Sequence, residues 1–236
     1  MLNEISILAI TALTIGFIHT LVGPDHYLPF AVLSKARQWS AIKTITITFL
    51  CGVGHVLSSV ILGFAGVILG ITVFKIGNIE SSRGDLAEWL LMSFGFAYFI
   101  WGVHRAIRNK PHRHIHIHEQ GREHSHIHGH SDEHTHPHAE DVKSLTPWVL
   151  FIIFVFGPCE PLIPLIMYPA ARHNMLAVAV VALVFGFATI TTMLGIVMAS
   201  FYGLSKLHLN SFERYSHAAA GFAIFACGAV IKLFGL

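Results

Sequence analysis

Long apolar runs with almost no charge set the narrowest limits on what this chain can fold into. Ile5–Val22, Thr44–Phe74 and Asn174–Ser205 carry no formal charge. Leu86–Val103 holds only Glu88 as a charged residue, Ser144–Ala171 only Glu160, and Tyr215–Ile231 none, with His217 near its start. A hydrocarbon core about 30 Å thick takes about 20 mostly apolar residues per helical crossing. Six spans are therefore expected. Each is forced toward helix, because lipid offers no partner to an open backbone group. Composition agrees: 54% of the 236 residues are hydrophobic and 12% charged, against about 25% charged in soluble domains. The expected class is an all-α integral membrane protein.

Other classes fall away on simple grounds. A net charge of +2 gives no reason to expect a nucleic-acid partner. Cys51, Cys159 and Cys227 all lie inside apolar runs, unlike the disulfide framework of a secreted domain. The residues before Ile5 contain no basic segment, so the first run reads as a retained span and not a signal peptide. No nucleophile–base pair or nucleotide-binding motif stands out, and an enzyme is not expected. Lys and Arg set an orientation. Eleven of the fifteen would lie in the connections 1–2, 3–4 and 5–6. The positive-inside rule then puts the long 3–4 loop in the cytoplasm and both termini outside.

The two halves of the chain resemble each other. Gly95-Phe96-Ala97-Tyr98-Phe99-Ile100-Trp101-Gly102 matches Gly221-Phe222-Ala223-Ile224-Phe225-Ala226-Cys227-Gly228 at five of eight positions. Gly54, Leu62 and Gly63 align with Gly186, Leu194 and Gly195, and Gly23-Pro24-Asp25-His26 aligns with Gly157-Pro158-Cys159-Glu160. Three spans repeated once give a 3+3 inverted repeat. Residues 1–106 form the first unit, 107–146 a histidine-rich loop expected to be disordered without metal, and 147–236 the second unit. Inverted repeats of this kind are typical of secondary transporters, with a site on broken helices near the midplane. Helices 1 and 4 are the expected broken ones, interrupted at Gly23, Pro24 and Pro29 and at Gly157, Pro158, Pro161 and Pro164. Proline inside a helix removes a hydrogen bond and clashes with the preceding turn.

Ionisable side chains at membrane depth are costly and mark function by default. Here they gather at the breaks: His19, Asp25 and His26 at the first, Cys159 and Glu160 at the second, with His55 in the next span. Imidazole, carboxylate and thiolate together form a borderline-soft set suited to transition metals and poorly suited to Mg or Ca. A visiting cation also explains how Asp25 and Glu160 endure an apolar setting. Between the halves, eleven histidines fall within 27 residues: His112, His114, His116, His118, His124, His126, His128, His130, His134, His136 and His138. Such a tract cannot bury a core, and metal buffering, metal or pH sensing, and a plain polar linker all compete as its use.

At these residues the chain resembles nickel/cobalt permeases and the related membrane proteins that serve urease and hydrogenase. In those permeases a His, four residues, then Asp-His lies on an early span, with Gly-His on the next. Here five residues separate His19 from Asp25, a spacing closer to the accessory branch, and Gly54-His55 follows. The resemblance implies that His19, Asp25, His26 and His55 take part in selecting and passing a metal. Gly157-Pro158-Cys159-Glu160-Pro161 resembles a second group, the thiol–disulfide electron carriers of cytochrome c biogenesis. Those carry Pro-Cys at each break, whereas Asp25 stands at the first-half equivalent of Cys159. The leading expectation is a secondary transporter of a divalent transition-metal cation, nickel or cobalt before zinc or copper, coupled to protons. The metal is then substrate, with no permanent cofactor. A thiol–disulfide carrier using Cys159 and Cys51, or an accessory subunit delivering metal to a metalloenzyme, are the alternatives. Expected partners are the lipid bilayer, the ion, and a metal-responsive or metalloenzyme protein. Metal identity, direction and oligomeric state stay open.

Overall fold

The computed structural model describes residues 2–108, 112–117, 123–128, 145–205 and 213–234, with side chains for 4–72, 74–108, 145–203 and 214–234. Eight α-helices follow among them: α1 (Leu2–Val22), α2 (Leu28–Ala36), α3 (Ala41–Ile68), α4 (Val73–Arg108), α5 (Thr146–Phe156), α6 (Leu162–Ala171), α7 (Met175–Ser205) and α8 (Ser216–Phe234). A 3-10 turn, Pro24–His26, joins α1 to α2. Of the histidine-rich loop, two short strands are described, β1 (His112–Ile117) and β2 (Glu123–His128), paired antiparallel. The side chains of both strands, and the expectation of disorder over the rest of the loop, lie outside the described residues.

Five helices are long and apolar enough to cross a membrane: α1, α3, α4, α7 and α8. The fourth apolar run carries its expected interruption and so is not among these five. It is divided into α5 and α6, 11 and 10 residues long, each about half of what a crossing needs. The first break falls where expected, at Gly23-Pro24. It follows the 21-residue α1 and does not halve it. Pro29 and Pro164 lie in the first turns of α2 and α6, where a missing N–H costs nothing, so they start helices and break none. Pro169 sits inside α6 near its end.

Helix α4 begins thirteen residues before the expected Leu86. That brings Glu80, Arg83 and Asp85 into the helix, where Arg83 had been expected in a connection. Its predecessor α3 starts at Ser40, whose hydroxyl accepts from the Lys43 amide at 3.3 Å. It stops at Gly70, which has φ +64°. The Ile71 amide donates back to the Gly66 carbonyl and the Gly70 amide to Val67, a Schellman closure that favours glycine at the left-handed position.

The matched octets are where α4 and α8 cross. A Cβ on Gly95 would stand 2.4 Å from the Phe225 backbone nitrogen, and one on Gly221 2.3 Å from that of Phe99. One on Gly102 would stand 2.4 Å from the Ala218 nitrogen. Each copy of the motif thus takes the other's backbone into its glycine groove, the close approach that small residues permit between membrane helices. The other contacts frame the breaks: α1 lies on α7, α3 on α5 and α7, α2 on α8, and α6 on α3 and α7. Two buried apolar clusters result. Phe30, Leu33, Leu150, Phe154 and Ile224 belong to one, and Ile76, Leu162, Ile163, Ile166 and Phe185 to the other.

Gly95→Ala should lower the thermal unfolding temperature in detergent, because overpacking costs about 1–3 kcal/mol. Gly77→Ala, on the same helix with nothing within 4 Å, should leave it unchanged or raise it, since alanine is the better helix former by up to about 1 kcal/mol. Equal effects at the two positions would contradict the crossing.

Candidate metal centre

The first break begins because Pro24 supplies no N–H and its ring bars a continuing helix. Gly23 donates to the His19 carbonyl at 3.0 Å and closes α1. Its own carbonyl turns inward and accepts from His26 Nδ1 at 3.1 Å. His26 Nδ1 lies also 3.0 Å from Asp25 Oδ1. Glycine is required at this point: a Cβ on residue 23 would lie 2.7 Å from His26 Nδ1 and 2.9 Å from Asp25 Oδ1. At the second break Gly157 plays a parallel part. A Cβ there would press to 3.1 Å on His55 Nδ1, and His55 Nδ1 donates to the Phe154 carbonyl at 3.3 Å.

These contacts decide the tautomers. The partners of Nδ1 in His26 and His55 are oxygens that only accept, so Nδ1 carries the proton and Nε2 keeps its lone pair. The Nε2 atoms of His26, His55 and His19 are all buried with no hydrogen-bond partner. The rings stand edge to face, with centroids 4.8 Å apart for His19–His26 and 5.0 Å for His26–His55. The three residues each offer a ligand atom, all within 4.8 Å of one another. An unpartnered buried polar atom is costly. Three imidazoles lining one cavity, each with an unpartnered buried nitrogen, form a set that a cation would satisfy. With metal–nitrogen bonds near 2.0–2.1 Å, tetrahedral ligands stand about 3.4 Å apart, so binding would draw the rings together by roughly an ångström.

All three rings line one cavity of about 610 Å³. Asp25 and Glu160 line it too, so the two carboxylates share a compartment. Their roles differ. Asp25 is the hydrogen-bond partner of His26, the outer-shell arrangement that orients a ligating imidazole. Glu160 is exposed on the cavity wall. Among the described residues, the donors close enough to share an ion are His19, His26 and His55, without Glu160 or Cys159. Cys159 is fully buried in an apolar cluster with Leu162 and Ile163, and its amide donates to Ser59 Oγ and Glu80 Oε1. Cys51, Cys159 and Cys227 are free thiols, and Cys51 belongs to the other apolar cluster.

Sequence reasoning missed several groups. Glu80 is 1% exposed and paired with Arg83 at 2.5 Å. Asp85, Glu88 and Lys232 line the cavity, with Lys232 paired to both acids across α4 and α8. The signal was present in Glu80 and Arg83, three residues apart and alike in requiring a partner. It was lost by starting the third span at Leu86.

Asp25→Asn should weaken metal binding about 10–100-fold, as loss of an outer-shell partner does, while Glu160→Gln should leave it nearly unchanged. The readout is the rise in unfolding temperature on adding zinc to the full chain, since ligand that binds the native state stabilises it by mass action. A loss for Glu160→Gln equal to that for Asp25→Asn would put both carboxylates in the donor set.

The family model described as Cytochrome C biogenesis protein transmembrane region matches residues 11–230. No curated protein and no solved structure matches the chain.

Proposed function

The chain belongs to the family described as the cytochrome c biogenesis protein transmembrane region, and we propose that on this helical scaffold it binds a divalent transition-metal cation and carries it across the cytoplasmic membrane. The observation behind this reading is the convergence of three orphaned imidazole nitrogens on one cavity. Imidazole donors favour nickel, cobalt, zinc or copper over magnesium or calcium.

The residues divide the work. His19, His26 and His55 replace the water that a hydrated cation gives up. Asp25 holds the Nδ1 proton of His26 and adds negative charge beside the ion. The Phe154 carbonyl does the orienting for His55. Protons compete for the same Nε2 lone pairs, which couples release to pH on the receiving side. The two Gly-Pro breaks are the joints, and movement of one half against the other would alternate access. The chain would sit with both termini outside and residues 107–146 in the cytoplasm, where the histidines of that loop would concentrate the ion.

A second reading rests on the family match and on Cys159 at the Gly157-Pro158 break. A thiol–disulfide carrier would oxidise two thiols to a disulfide, releasing two electrons and two protons to the next carrier. That step needs a partner sulfur within bonding reach. Cys159 and Cys51 occupy separate apolar clusters, which favours the metal reading.

Proteoliposomes of the full chain, assayed for nickel and cobalt uptake by elemental analysis, separate the two. Flux should fall at least about tenfold in His26→Ala and in His55→Ala and persist in Cys159→Ser, with thiol trapping after oxidation showing no Cys51–Cys159 disulfide. Undiminished flux in both histidine variants overturns the transport reading. A trapped disulfide with loss of function in Cys159→Ser establishes the redox one, and metal binding without flux makes the chain an accessory that presents ions.

A further inference from the structure

Outside the three histidines, a largely buried ion pair among the described residues is left unused by the transport steps. Glu80 and Arg83 lie on α4, their side chains 1% and 18% exposed. Glu80 Oε1 accepts from the Ser59 hydroxyl at 2.5 Å and from the Cys159 amide at 3.1 Å, and Oε2 accepts from Arg83 at 2.5 Å. The guanidinium also donates to the Val155 carbonyl at 2.8 Å and to the Ser58 hydroxyl at 2.9 Å. Ser58 in turn donates to the His55 carbonyl at 2.8 Å.

A buried ion pair is a weak source of stability, often no better than an apolar pair of the same shape. Its value here lies in which groups it reaches. Arg83 takes a carbonyl that α5 leaves open at its end. Glu80 takes an amide ahead of α6. The pair therefore holds both sides of the second break to one helix. The residue before Val155 is Phe154, whose carbonyl receives the Nδ1 proton of His55. His55 is thus held twice, through its ring by the end of α5 and through its backbone by Ser58, and Arg83 touches both supports.

We infer that Glu80 and Arg83 are positioning residues for His55: they fix the end of α5 and the turn after His55 so that Nε2 faces the cavity. The inference rests on the metal-binding reading of the three histidines. It assigns the break in the second half a supporting part in a donor set that otherwise comes from α1, the first break and α3.

Cobalt(II) is a suitable probe, because its visible absorption reports ligand number and geometry. In the full chain, the difference between wild type and His55→Ala isolates the inner site from the histidine-rich loop. Arg83→Gln should weaken that site by about 10–100-fold, the usual effect of removing an outer-shell partner, and change its absorption. On the His55→Ala background, Arg83→Gln should change cobalt binding no further, the non-additivity expected of residues acting as one unit. Melting of the metal-free variants establishes that they are folded. If Arg83→Gln does not accumulate, Ser58→Ala cuts only the brace to the His55 carbonyl and should weaken the site several-fold. Unchanged cobalt affinity in the folded variant, or an equal loss on both backgrounds, overturns the inference. No difference between wild type and His55→Ala overturns the metal reading itself, and the positioning role with it.

Discussion

A helix interrupted among apolar side chains exposes carbonyls and amides that neither lipid nor the helix can satisfy, and much of this chain's polar chemistry exists to take them up. The Gly23 carbonyl is taken by His26, the Phe154 carbonyl by His55, the Val155 carbonyl by Arg83 and the Cys159 amide by Glu80 and Ser59. Satisfying the backbone has a chemical by-product. Each imidazole that spends its Nδ1 proton on a carbonyl is left with a bare Nε2 on its far side. The breaks and the three-histidine cluster are therefore one construction. The glycines at residues 23 and 157 belong to it, because a side chain at 23 would displace His26 and one at 157 would crowd His55.

Around the breaks the structure sets a stiffer frame. The α4–α8 crossing brings backbones together through Gly95, Gly102 and Gly221, so these helices cannot slide without lifting out of each other's grooves. Both frame and site depend on α4: its Tyr98 end carries the crossing motif, and its Glu80 end holds the second break. Lys232 of α8 joins Asp85 and Glu88 of α4 between these regions, on the cavity wall.

The family match and the site chemistry bear on different levels. Membership places residues 11–230 among transmembrane regions, and the breaks are features of this chain's own structure. What a scaffold does depends on the residues grafted on it. In this chain the second break keeps Pro158-Cys159, while the first carries Asp25-His26 at the matching place. Cys159 and Cys51 lie in separate apolar clusters, and a disulfide needs two sulfurs within bonding reach. Three imidazoles with free lone pairs have coordination chemistry.

Much was legible in the sequence for a physical reason. Uncharged runs of span length can only be helices in lipid, proline next to glycine can only interrupt them, and histidine or aspartate at such an interruption requires a partner. Those three constraints are local, and they located both breaks as well as His19, Asp25, His26 and His55. What the sequence could not decide is which side chain meets which. Glu160 follows Cys159 directly, yet it faces the cavity wall while Cys159 packs among apolar side chains, because the turn at the break points neighbours in opposite directions. Glu80 and Arg83 read as part of a connection until α4 extended across them. Only the packing of α3, α4 and α5 brings Ser59 to Glu80 and His55 to Phe154, across 21 and 99 residues of chain. Local sequence sets where a helix must stop; tertiary packing alone sets which polar group answers the backbone it leaves open.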